Sequence, residues 1–232
     1  LGYVYKRQAL NAINNFWDVR RNLCRIINKF GKNKWPKQYK VFKTNIINCS
    51  TWVGYDLDGR TDIGWIDSFS LRLKEKLLML EKLDVDIVGI IKLDSHDISS
   101  NLLFILNQVR YIKKCTEEVL NLISINDQVN FPQLEDKLES YKKSVISSKI
   151  LADKIFKLST ICKSFEVSSE LSILASEIQN KGFGVGEIQL RFNALQLHNA
   201  FRGILEISTD SVSVRTDLNR LSKLIETVRF QR

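Results

Sequence analysis

Thr51-Trp52-Val53-Gly54-Tyr55-Asp56-Leu57-Asp58-Gly59-Arg60-Thr61-Asp62-Ile63-Gly64-Trp65 is the stretch on which the reading of this chain turns. Two tryptophans and three glycines alternate with three aspartates, and a leucine-rich helical pattern follows. Glycine allows close backbone approach or positive φ, and Asp can bond its own local backbone, so the composition suits a structured turn at the end of an element. Two readings are open from composition alone: a functional loop, and a tight surface turn beside a buried Trp.

Working upstream, Val41 to Cys49 carries Ile46-Ile47 and is bounded by Ser50-Thr51. It is too short for a helix and is expected to be a buried strand feeding the loop. Before it, Leu10, Ile13, Trp17, Cys24 and Ile27 recur at helical spacing over Ala9 to Phe30. Arg20, Arg21 and Lys29 are assigned to the wet side of that helix, and Gly31 to its C-terminal cap. Downstream, Asp67 or Ser68 is expected to cap a helix with Leu71, Leu73, Leu77, Leu78, Leu80 and Leu83 on its apolar face. Arg72, Lys74, Glu75 and Lys76 are placed on its other side. The run from Asp84 to Leu93 reads equally as a strand or as the end of that helix.

Asp94-Ser95-His96-Asp97 resembles a helix start, with Ser95 or Asp97 as cap and Ile98, Leu102, Ile105, Val109 and Ile112 continuing at steps of three and four. His96 between carboxylates invites a metal reading, but no second histidine or cysteine lies at ligand spacing, so a capping turn is preferred. Pro132 suits the first turn of one further long helix carrying Leu134, Leu138, Val145, Ile150 and Ile155. Glu166 to Gln179 repeats the pattern with Val167, Leu171, Leu174 and Ile178, stopping at Asn180-Lys181-Gly182. Then Val185, Ile188, Leu190 and Phe192 describe a short strand entering a helix at Asn193, and Ser211 to Phe230 forms a last amphipathic helix. Gly182, Gly184 and Gly186 precede that strand, whereas dinucleotide-binding glycines follow one.

Composition bounds the class. With ten glycines and two prolines among 232 residues, long helices are expected and a many-turned sandwich is not. No run is apolar for the length of a membrane span and no signal peptide pattern opens the chain, so a soluble cytoplasmic protein is expected. Cys24, Cys49, Cys115 and Cys162 stand far apart, which supports neither a zinc site nor a disulfide framework. The formal charge of +9 is scattered without a block of like charge, so nucleic acid is not an expected partner. Residues 1–8 resemble translated adapter sequence and are expected to be a non-native leader. Residues 9–232 are expected to be a single domain truncated at both ends.

Strand, loop and helix thus occur twice in a mostly α chain: long helices around a few short parallel strands with a loop at each strand end, which the resemblance that follows makes part of an incomplete α/β (TIM-like) barrel. Thr51 to Gly59 resembles the Ser-Trp-Met-Gly-Gly-Asp-Arg-Asp-Gly loop of phosphoenolpyruvate carboxylase, with the Trp, the first Gly, both Asp and the last Gly in register. Gly59 to Trp65 is similar to an atypical bacterial branch of that family. That branch also carries an arginine followed by Asn-Ala-x-Gln-Leu-His-Asn-Ala, as Arg191 to Ala200 do here. Leu57 stands where the common family has Arg, Tyr55 where it has Gly, and Phe192-Asn193-Ala194 where it has Gln-Glu-Ser.

The resemblance implies an internal piece of a carboxy-lyase that converts phosphoenolpyruvate and bicarbonate to oxaloacetate and phosphate with Mg2+ or Mn2+, in the cytoplasm and as a homo-oligomer, a tetramer in the family. It makes Arg191 the catalytic candidate that contacts the substrate phosphate, against a structural ion pair. Trp52 becomes a wall of the carbon dioxide pocket, against plain core. Gly54, Asp56, Asp58 and Gly59 are assigned to shaping the loop, and Asn193, His198 and Asn199 to supporting positions near Arg191. The metal ligands and the family's catalytic histidine are expected outside this segment, which alone is not expected to turn over. The alternative is a non-catalytic helical paralogue or interaction module.

Overall fold

The computed structural model describes residues 2–44, 46–55, 65–94, 98–124 and 131–189, with His198 and Arg202. These residues are mostly helical: α1 (Gly2–Lys34), α2 (Trp65–Leu93), α3 (Ser99–Ser124), α4 (Phe131–Ser144), α5 (Ser148–Ile161) and α6 (Phe165–Lys181). Two strands, β1 (Ser50–Thr51) and β2 (Glu187–Ile188), pair in parallel. Among the described residues these two strands form no barrel. The expected helix from Ser211 to Phe230 lies outside them.

Helical periodicity explains the main core. Ile98, Leu102, Ile105, Val109 and Ile112 of the α3 stripe are all buried, as are Val167, Leu171, Leu174 and Ile178 of α6. They meet Leu80, Leu83, Ile87 and Ile90 from α2 and Leu151, Ile155 and Leu158 from α5 in one cluster. The ambiguous stretch 84–93 is helix, because Ile87 and Ile90 extend the apolar face of α2 by another turn. Gly182 ends α6 with φ of 61°, its N–H donating to Ile178 O at 2.9 Å, which is the glycine stop the sequence suggests.

Several expectations are corrected. The single long helix after Pro132 is two helices. Ser147 is extended and its Oγ accepts the Ile150 N–H, so α5 begins on its own cap; Leu138 and Ile150, expected on one buried face, are exposed. Gly31 does not cap α1, which runs through it to Lys34. Before α3, Asp94 Oδ2 takes the Ile98 N–H at 3.1 Å and the Ser99 hydroxyl at 2.8 Å; the expected caps fall on Ser95 and Asp97. Ser95, His96 and Asp97 lie outside the described residues. Residues 42–44 and 46–49 form no strand, and Ile46 and Ile47 are exposed. Their backbone is held by a side chain in place of a ladder: Arg20 donates to Thr44 O at 2.8 Å and to Ile47 O at 3.1 Å.

Arg20 and Arg21 are accordingly not on the wet side of α1, whereas Lys29 is exposed as expected. Arg20 is 1% exposed. Arg21 donates through both edges of its guanidinium, to Glu177 of α6 at 2.6 and 2.8 Å and to Asp86 of α2 at 3.0 and 2.6 Å. Burial disfavours its charge, yet the bonds to Glu177 and Asp86 more than offset this and hold its pKa above the usual value. Lys181 lies 3.6 Å from Glu177 with its ammonium 4.5 Å from the centre of the Trp17 ring. Burial pushes the Lys181 ammonium down to about 8 despite Glu177. None of the four cysteines is in a disulfide, and no helix among the described residues is long and apolar enough to cross a membrane.

Two outcomes follow from this clamp. Replacing one partner of a buried ion pair strands the other, so Arg21→Met is expected to lower unfolding free energy by about 3–5 kcal/mol in a urea titration. An unchanged midpoint and slope contradict the clamp. Because the folded pKa of Lys181 lies below the ordinary lysine value of 10.5, the unfolded chain holds more protons between pH 8 and 10.5. Lys181 therefore costs stability at lower pH and the cost is released over that window. The stability of the parent relative to Lys181→Met should rise across it; a flat difference contradicts the depressed pKa.

Candidate functional site

Close backbone approach creates the strand pair. A Cβ on Gly186 would come within 2.5 Å of Cys49 O, so only glycine lets the two chains meet there. The Glu187 N–H then donates to Cys49 O and the Gln189 N–H to Thr51 O, each at 2.9 Å, with Ser50 opposite Glu187 and Thr51 opposite Ile188. Val185, fully buried, is fixed from behind by the Trp17 indole N–H, which donates to its carbonyl at 2.8 Å. Parallel pairing sends both chains out of the same edge: Trp52 to Tyr55 after β1, and Gln189 after β2.

The loop after β1 closes locally. Tyr55 N–H donates to Trp52 O at 2.8 Å, Val53 N–H donates to Thr51 Oγ1 at 3.2 Å, and Gly54 takes φ of 86°, a conformation that favours glycine. Ser68, proposed as a cap, instead donates its hydroxyl to Gly54 O at 2.9 Å and ties the loop to the first turns of α2. Asp67 lies in the first turn of α2.

A polar cluster secures the loop from below. Tyr55, 2% exposed, donates its phenol to Glu75 Oε2 at 2.6 Å, and the Arg72 guanidinium stands 3.5 Å from the same oxygen. Glu75 is therefore buried and not on the wet face expected for it. Burial pushes the Glu75 carboxyl above its usual value, while Tyr55 and Arg72 oppose the rise. Burial and the adjacent Glu75 push the Tyr55 phenol well up. Arg72 in turn fills the space beside Gly184, where an added Cβ would meet its guanidinium nitrogens at 2.1 and 2.3 Å. One cluster thus joins α2, the loop after β1 and the glycine turn before β2.

The structure brings the two sequence-selected stretches together and leaves some of their residues out of view. Gly54 shapes the loop. Trp52 is 46% exposed, so its alternative as plain core does not hold. His198 is helical and half-buried. Asp56, Asp58, Gly59, Arg191, Asn193 and Asn199 lie outside the described residues, as do Leu57, Phe192 and Ala194. Sequence reasoning missed Tyr55, Arg72 and Glu75 as a unit. The available signal was the three-residue spacing of Arg72 and Glu75, which makes them helix neighbours.

Among the described residues no group of three or more His, Cys, Asp or Glu side chains is placed to hold a metal ion. No family model, curated protein or solved structure matches the chain.

Tyr55→Phe deprives the buried Glu75 of its donor and is expected to cost about 1–3 kcal/mol in urea unfolding. In a Glu75→Gln background the same change should cost measurably less, as a double-mutant cycle reads directly. Equal costs in both backgrounds would show that the pair carries no coupling.

Proposed function

We propose that this chain is part of a phosphoenolpyruvate carboxylase-like enzyme, and that β1 and β2 are neighbouring strands of its α/β (TIM-like) barrel. The observation that carries this reading is the parallel pairing of Ser50–Thr51 with Glu187–Ile188. The two stretches that resemble the family are remote from each other, yet in the sequence each comes directly after one member of this strand pair. In α/β barrels the reacting groups gather at the carboxyl edge, on the loops that leave the strands.

In this reading Arg191, two residues beyond Gln189 in the sequence, holds the phosphate of phosphoenolpyruvate; a guanidinium offers the planar, paired donors that phosphate accepts. Trp52 walls the pocket in which carbon dioxide meets the enolate and helps keep water out. Gly54, Asp56, Asp58 and Gly59 hold the loop in shape, and Asn193, His198 and Asn199 support Arg191. A bound Mg2+ or Mn2+ would supply Lewis-acid stabilisation of developing negative charge, with its ligands assigned to parts of the enzyme outside this chain. The resemblance extends the proposal to a cytoplasmic homo-oligomer.

The test is a coupled assay for oxaloacetate on the complete protein. Turnover that requires both phosphoenolpyruvate and bicarbonate, with kcat/KM for phosphoenolpyruvate falling about 100-fold or more in Arg191→Ala, is the expected result. A fully active Arg191→Ala enzyme would overturn the role of Arg191. A complete, folded protein without turnover would favour the non-catalytic helical paralogue.

A further inference from the structure

A cavity of about 330 Å³ opens between α2, α3, α4 and the connection leading into α5. That volume falls within the range of roughly 300–1,000 Å³ usual for small-molecule sites. Its walls are largely apolar, formed by Leu73, Val119, Leu138, Val145, Ile146 and Phe183. No carboxylate is among its lining residues, whose charged members are Lys76 and Lys142. The Lys142 ammonium is exposed to water at the rim and lies 3.2 Å from Glu139.

Lys76 is different. It is partly buried, its ammonium stands 5.9 Å from the centre of the Phe183 ring, and among the described residues it forms no ion pair. Burial pushes its pKa down, and Arg72 one turn away adds repulsion. Taking an unpaired ammonium partly out of water is costly. A second polar group faces the same space: Ser147 accepts the Ile150 N–H at 3.3 Å and keeps its own hydroxyl proton for another acceptor. Ser148 also lines the space, while the Thr116 and Tyr141 hydroxyls there already donate to Ile112 O and to Glu118. A phosphate or dicarboxylate would bring more charge than the single Lys76 ammonium can balance against apolar walls. A single carboxylate on an apolar body matches both halves of the site.

We propose that this cavity binds a small amphipathic monocarboxylate, its carboxylate on the Lys76 ammonium and its apolar body along Leu73, Val119 and Val145. This site takes a ligand unlike the substrates named above and does not depend on that reading.

Isothermal titration of the full chain with octanoate and with 1-octanol, its uncharged counterpart, tests the proposal. Octanoate is expected to bind one molecule per chain about tenfold or more tighter than 1-octanol. Lys76→Met should erase that preference while leaving 1-octanol binding intact. Val145→Trp, which fills the cavity from the connection before α5, should weaken both probes about tenfold or more, with the circular dichroism spectrum unchanged. Absent binding, equal affinity of the parent for both probes, a preference that survives Lys76→Met, or binding untouched by a folded Val145→Trp variant would each overturn it.

Discussion

One guanidinium ties α1 to two other helices at once. Arg21 gives four hydrogen bonds to two carboxylates on two other helices, Asp86 of α2 and Glu177 of α6, with Glu177 only 1% exposed. Removing such charges from water costs several kcal/mol per ion, and the cost is offset only when geometry is good and the remaining donors and acceptors are used. The planar fork of arginine meets that condition here in a way that a lysine would not. It acts as a positional constraint more than as a source of stability: α1 can dock in the register that satisfies both carboxylates and in few others.

Everything that builds the strand pair follows from that docking. One residue before Arg21, Arg20 donates to the carbonyls of Thr44 and Ile47 and to the Ser176 hydroxyl of α6. It thereby holds the connection that leads into β1 against α6. One turn earlier, Trp17 fixes the carbonyl of Val185 just before β2. The two strands are only two residues long, too short to hold each other by backbone bonds alone, so their meeting is arranged by α1 and permitted by Gly186.

The loop after β1 inherits its support from α2 in the same manner. Ser68 holds the Gly54 carbonyl, Glu75 receives the Tyr55 phenol, and Arg72 bridges Glu75 to the space beside Gly184. Side chains on a rigid helix thus brace the turn from Trp52 to Tyr55. Locking a site loop through the packing and hydrogen bonds behind it is the usual requirement for holding reacting groups in place.

The sequence by itself determined the mostly helical class, the core faces of α3 and α6, the glycine stop at Gly182 and the two loop-bearing stretches. These are local properties: a period of three and four residues marks an apolar face, and a glycine marks a backbone that needs positive φ. Only the tertiary structure decided the fate of the charged residues. Arg20, Arg21 and Glu75 read as solvent-facing because charge next to an apolar stripe is normally solvated, and their partners lie on other elements far along the chain. The split between α4 and α5 was hidden for a related reason. Leu134 and Ile155 are both buried, but in different clusters, so one apparent stripe served two helices facing two cores. Periodicity reports which face of a helix avoids water; it carries no information about which distant carboxylate, carbonyl or core that face will meet.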